Sequence, residues 1–257
     1  MAADAKTNSF MLGIATVMVG AQADLHNLYP AAHSLGLVKN FAMTAEPSYT
    51  ELTQGVKNTL VASVMTQNPV RASMEAYEFT ARNLKWGLGL DGSSTATLDE
   101  ATTASGQVVG DDEVVVVPFT AVDDFTAGDH VAINIDDDDN VVIRKIASIE
   151  TLNVTLTQPI PTGITIPSGA AIKNVNVMGV GSKTDQPFLS AKAVGKLSDG
   201  THVTILMPKI RVVRGFNLAF STEDFGNMPF EFTVYDQVTS DPFYAEFGGD
   251  AARIFRT

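Results

Sequence analysis

The residues with most scope for chemistry are four histidines, His26, His33, His130 and His202, in a chain of 257 residues that has no cysteine. A metal centre needs three or four ligands converging at short, regular spacings, and no HExxH pair or close histidine pair occurs. The run Asp136, Asp137, Asp138, Asp139, Asn140 invites calcium, but an EF-hand loop starting there requires glycine where Val141 stands and glutamate where Ala147 stands. It reads as a solvated hairpin tip. Gly179, Gly181, Ser182, Lys183 and Thr184 lack the adjacent Gly-Lys of a phosphate loop, and Gln186-Pro187 follows where a helix would have to start. With no nucleophile elbow and no singular acid pair, the sequence offers no catalytic, cofactor or metal residue, and the expectation is a protein that is not an enzyme.

Composition narrows the classes further. Hydrophobic residues make up 45% and charged residues 18%, enough for a real core and against disorder over most of the chain. Stability has to come from packing, strand pairing or assembly, because disulfides and thiolate metal sites are excluded. The formal charge of −12 argues against a protein that grips nucleic acid by its phosphates. Residues 105–186 hold 12 Asp/Glu against 4 Lys/Arg, so most of the acidity belongs to one segment. Near the start, residues 10–21 are apolar and Ala21, Gln22, Ala23 resemble a cleavage site, but the preceding MAADAKTNS has no positive cluster. A buried strand over 13–20 is the reading, and no run is long enough for a transmembrane helix.

The elements that would carry any site are mostly strands. Residues 21–55 read as a long irregular loop with a short strand at 37–44, and 57–66 as a half-buried strand with Leu60, Ala62 and Val64 opposite Thr59 and Ser63. Asn68-Pro69 reads as a turn, 71–77 as a returning strand, and 80–89 as one helix with Ala81, Leu84 and Leu88 on its apolar stripe and Trp86 packed inside. Residues 93–106 are small and polar, a linker. Beyond them, apolar runs at 114–117, 131–135, 141–146, 152–156 and 171–177 at near-regular spacing predict a small barrel or sandwich. A second small-polar link at 179–186 returns the chain to the first unit. This gives a discontinuous domain, 1–104 with 185–257, and an inserted one, 105–184.

In the returning half, 188–197 and 203–207 are joined by a Ser198, Asp199, Gly200 hairpin turn. Ile210 and Val212, then Phe216, Leu218 and Phe220, alternate with polar or small residues about a bend at Gly215. Met228, Phe230, Phe232 and Val234 alternate with Glu231 and Thr233. Residues 241–247 read as a last short strand, with a loosely held tail from 248 in which Ile254 and Phe255 could anchor a neighbour.

The run PKIRVVRGFNLAFSTEDFGNMPFEF at 208–232 resembles the C-terminal signature of bacteriophage major tail tube proteins. The resemblance continues through KLSDGTHVTILMPK at 196–209, LGLVKNFAMTAEPSYTELTQGVKN at 35–58 and EAYEFTARNLKWGLGL at 75–90, and covers roughly 10–92 and 186–248. It implies a mainly β protein: an antiparallel sandwich or barrel of the tail-tube kind with one helix. The inserted all-β domain lies outside the resemblance and is expected on the exterior, because both of its ends must leave the host fold at one exposed place. The resemblance also implies hexameric rings stacked into a hollow conduit for DNA in the virion, made in the host cytoplasm without membrane insertion. The implied partners are further copies, a tape measure protein in the lumen, tail terminator and baseplate or tip proteins, a sheath if the tail contracts, and double-stranded DNA in transit.

Such a wall must not hold DNA, which carries one phosphate charge per about 1.7 Å, so small polar faces are the candidates: Thr59 and Ser63 on one strand, Ser190 and Lys192 on another. Lys192 and Lys196 would have to turn away or pair with acids. Arg211 and Glu231 are candidate subunit contacts. The competing expectations are a secretion-system tube, with the same sheet logic, and a carbohydrate- or cell-surface-binding protein whose acidic insert would need exposed aromatics.

Overall fold

A computed structural model describes residues 11–54, 59–90, 101–111, 116–135, 140–181, 186–217 and 226–256. In chain order the first part holds strand β1 (Met11–Ala21), a 3-10 turn (Gln22–Asn27), helix α1 (Pro30–His33), β2 (Val38–Ala45), β3 (Ser48–Gln54), β4 (Thr59–Gln67), β5 (Val70–Ala76) and helix α2 (Ala81–Gly87). Then come β6 (Ala101–Thr103), β7 (Val108–Val109), β8 (Val116–Pro118), β9 (His130–Asn134), β10 (Val141–Glu150), β11 (Asn153–Leu156), β12 (Thr165–Ile166) and β13 (Ala171–Asn174). The last part holds β14 (Leu189–Leu197), β15 (His202–Arg214), β16 (Met228–Val234), helix α3 (Tyr244–Phe247) and β17 (Arg253–Arg256). The protein is mainly β and antiparallel. Among the described residues there are four short helical segments where the sequence predicts one.

Two compact units divide the chain, 1–94 with 180–257 and 95–179. In the first, a sheet runs β1-β14-β15-β16-β5-β2, with β17 also on β15. It curls into a half-barrel: at one point Leu35 N donates to Val17 O at 2.9 Å, and Met18 bridges Ser34 just before β2 begins. Strand β16 shows why this sheet forms, since Met228, Phe230, Phe232 and Val234 are buried while the residues between them are half-buried, the period-2 pattern written in the sequence. The interior gathers Val17, Val19, Met74, Ala191, Met207 and Ile210 around Phe230 and Phe232.

Strand β15 corrects the expectation of separate strands on either side of Pro208. It is one strand of 13 residues, and a bulge absorbs the proline: Leu189 faces Ile210 while Ala191 faces Met207. Proline is tolerated there because the bulged position owes no N–H to the ladder. The strand ends at Arg214. Gly215 then lies against Gly87 of α2, where a Cβ on Gly215 would stand 2.8 Å from the Gly87 Cα and one on Gly87 2.6 Å from Gly215 O. Glycine is thus required at both positions for close approach, the role that replaces the predicted bend. The predicted strand through Leu218 and Phe220 lies outside the described residues, and Phe216 is in non-strand backbone.

Helix α2 is capped by Thr80, whose Oγ1 accepts from Asn83 N at 3.1 Å. Its buried side is Asn83, Trp86 and Gly87 instead of a leucine stripe, with Leu84 partly buried. Asn83 explains the difference, because its Nδ2 donates to Leu35 O at 3.0 Å and Glu78 O at 2.9 Å and so turns that edge inward.

The Ser198 to Gly200 turn forms as predicted, with Gly200 at φ 87° and Thr201 N donating to Asp199 Oδ1 at 3.0 Å. Residues 241–247 are not a strand: Tyr244–Phe247 is a helical turn that buries Phe247. Nor is the tail loose, since Arg253–Arg256 pairs antiparallel with Val203 to Leu206.

The second unit closes on itself. Its sheet runs β6-β13-β9-β10-β11-β8, and Ala104 bridges Phe119 so that the first and last strands meet. Ser105 N donates to Pro118 O and Thr120 N to Thr103 O, both at 2.9 Å, finishing a small barrel filled by Phe119, Val131, Ile133, Ile146, Val154 and Ile172. Strand β6 lies inside the stretch expected to be linker and belongs to this barrel, because Ala and Thr can pair as readily as they can link. The Asp136 to Asp139 run lies outside the described residues.

Candidate assembly surface

The segment that the sequence offers as the end of a long loop, which by resemblance would reach toward a neighbouring subunit, followed by a half-buried strand, is a two-stranded arm. Among the described residues strands β3 and β4 pair only with each other, and every described residue in both is exposed. The half-buried strand expected at 57–66 therefore has no buried face among the described residues, and Lys57 lies outside them. The arm prolongs the β2–β5 hairpin: Ala45 pairs with Val70, then Ser48 pairs with Gln67. Pro47 and Pro69 interrupt the two strands at the same level, so Asn68-Pro69 marks the root of an arm and not a reversal of the chain. The predicted long loop at 21–55 is in fact a 3-10 turn, a helical turn, β2 and the outgoing arm strand.

Both faces of the arm carry exposed apolar side chains among polar ones. By register Tyr49 stands opposite Met65 and Glu51 opposite Ser63 on one face, while Leu52 stands opposite Ala62 and Thr50 opposite Val64 on the other. Tyr49 is 57% exposed, Leu52 62%, Val64 64% and Met65 53%. A lone two-stranded ribbon is marginal in water, and open strand edges beside exposed aliphatics are a template for pairing with another chain. Thr59 and Ser63 sit here, on this ribbon.

Ser190 and Lys192 do not share a wall with them. Ser190 is fully buried, its Oγ donating to Ala21 O at 2.8 Å, because the outer face of β1, β14 and the first half of β15 is already covered. The cover is the turn Gln22–Asn27 with residues 243–247: Leu25, Leu28 and Phe247 pack on Met18 and Leu206, and His26 Nε2 lies 2.7 Å from Glu246 Oε2. Ser190 is thereby corrected from wall to interlayer. Lys192 is half-buried on the same face, between Met18 and Leu206 in register.

Arg211 and Glu231 stand on the uncovered outer face of β15 and β16. Glu231 Oε1 accepts from Arg71 Nη1 at 3.2 Å. Arg211 lies over Phe188, its Cζ 4.2 Å from the ring centroid, and Phe188 meets Tyr235 edge to face at 5.5 Å. Lys209, in the β15 bulge, is buried and also reaches Phe188, but its Nζ is held by Asp241 Oδ2 at 2.8 Å.

That buried pair fastens the segment after β16 to the barrel. Burial alone pushes the Asp241 carboxyl up, yet the Lys209 hydrogen bond, the Val238 N–H, the Lys209 charge and the Gln22 side chain outweigh it and hold it below the usual value. A carboxyl lowered in the folded state adds stability that is present above its unfolded pKa and lost as pH falls through the folded one. Asp241→Ala is therefore expected to cost about 3–5 kcal/mol at neutral pH by stranding Lys209. Thermal melts should show that deficit unchanged from pH 7 to about 5 and shrinking below about 4.

Among the described residues no group of three or more His, Asp or Glu could hold a metal, and no helix is long and apolar enough to cross a membrane. Phe119 and Phe125, the only aromatic residues of the insert, are buried against each other in its core. No family model and no curated protein matches this chain.

Proposed function

We propose that this chain is the structural subunit of a phage tail tube, assembling through its own surfaces into stacked hexameric rings around a channel for DNA. The single observation that carries the reading is the arm, which exposes apolar side chains on both faces with no cover among the described residues. A second copy is the natural cover, since mutual burial removes the exposed aliphatics of every copy at once and leaves no free edge in a closed ring. The resemblance at 10–92 and 186–248 supplies the kind of assembly. A net charge of −12 suits a conduit that must pass DNA without holding it. In this reading the tape measure protein occupies the channel during assembly, and terminator and tip proteins cap its ends.

A carbohydrate-binding insert is disfavoured because stacking on sugars needs exposed rings and Phe119 and Phe125 are not exposed. Sedimentation velocity across a hundredfold range of protein concentration tests the proposal. Growth from monomer to large species above a threshold supports it, and a monomer throughout contradicts it.

A further inference from the structure

Arg211 is a cation with no acidic partner among the described residues. Its guanidinium lies over Phe188, and its Nε is buried with no acceptor. Its neighbour Lys209 is neutralised by Asp241 and Glu231 is taken by Arg71, so Arg211 and Arg214 both stand without an ion pair among the described residues, and of the two Arg211 is the one held over an aromatic ring. Exposed apolar groups lie along the same stretches: Tyr235 at 37%, Val213 at 56% and Val238 at 51%. Arginine and tyrosine on a partly desolvated patch are the side chains that concentrate binding energy in protein interfaces. A guanidinium held over a ring still presents its fork to a carboxylate.

The arm offers the complement. Glu51 is the only charged residue in Ser48–Gln54 or Thr59–Gln67, it is exposed, and it has no partner among the described residues. Tyr49 and Met65 stand on its face of the ribbon. Position agrees with chemistry. Val70 at the root of the arm pairs with Val234, which pairs with Ile210, which pairs with Leu189, so Tyr235 and Phe188 lie at the same end of the sheet as that root. Seven strand residues span about 23 Å, long enough for the arm to reach a surface beyond its own sheet.

We infer that the arm of one copy docks on the Phe188, Arg211 and Tyr235 patch of its neighbour in the ring, with Glu51 pairing to Arg211. The inference rests on the reading of the arm as an assembly element and adds its acceptor. The test is a charge exchange in the full chain, followed by sedimentation. Glu51→Arg and Arg211→Glu should each raise the threshold concentration for assembly by about tenfold or more, and the double variant should restore it to within about threefold of the original protein. Glu51→Arg lies on the exposed arm, so its unchanged melting temperature separates lost association from lost folding.

If neither single variant changes assembly, or if the double variant is as impaired as the two effects combined, the docking is wrong. The assembly reading survives that result provided that an arm variant with its apolar face destroyed still fails to assemble. An original protein that never assembles overturns both.

Discussion

Leu52→Asp combined with Val64→Asp is expected to abolish assembly while leaving the subunit folded. The two side chains share one face of the arm, are 62% and 64% exposed, and touch no core of their own chain. Surface changes of this kind alter the stability of the folded chain by no more than about 0.5 kcal/mol. In an interface, each of these side chains contributes about 1.5–3 kcal/mol when fully buried. Losing both removes about 3–6 kcal/mol, a weakening of roughly a hundredfold to ten-thousandfold per contact. Sedimentation should find the variant monomeric at concentrations where the original protein assembles, with an unaltered thermal melt. A drop of many degrees in the melt would mean that the arm is covered by its own chain.

Trp86→Ala is expected to do the opposite, costing about 3–5 kcal/mol of folding stability. Trp86 is fully buried in the core of the first unit, the largest side chain there, and it anchors a helix of only seven residues. So short a helix has little stability of its own, so its place depends on this ring, the Asn83 hydrogen bonds and the Thr80 cap. Arg82 also stacks on the ring, with its Cζ 5.3 Å from the centroid, and loses that contact with it. Urea titration followed by circular dichroism measures the cost. A change below about 1 kcal/mol would show that the helix is a surface ornament instead of part of the core.

The sequence makes legible what depends on a single face. The alternation of Met228, Phe230, Phe232 and Val234 names a strand and its inner side, Trp86 reads as packing, and Ser198, Asp199, Gly200 name a tight turn. It cannot say what covers a face. Leu60, Ala62 and Val64 alternate like any half-buried strand, but among the described residues nothing lies over them. Ser190 and Lys192 alternate like a bare polar face, but a second layer built around Leu25, Leu28 and Phe247 lies over Ser190. The Leu25 to Leu28 spacing of three within a stretch expected to be loop was the available signal for that layer. Pro208 looked like a strand end because a bulge that accommodates proline leaves no mark in local composition. The sequence marks Arg211 only by its place on the polar side of β15. Phe188 and Tyr235, which make it a patch, come from distant strands that only the sheet order brings together.

The central claim is that the chain builds a hollow tube from its own copies. Electron microscopy of the purified full-length protein, concentrated above its sedimentation threshold, tests it most directly. The expected images are rings with a central opening, stacked into filaments of constant diameter and absent from the Leu52→Asp, Val64→Asp variant. Isolated globular particles at every concentration and salt, or solid filaments without a channel, would contradict it.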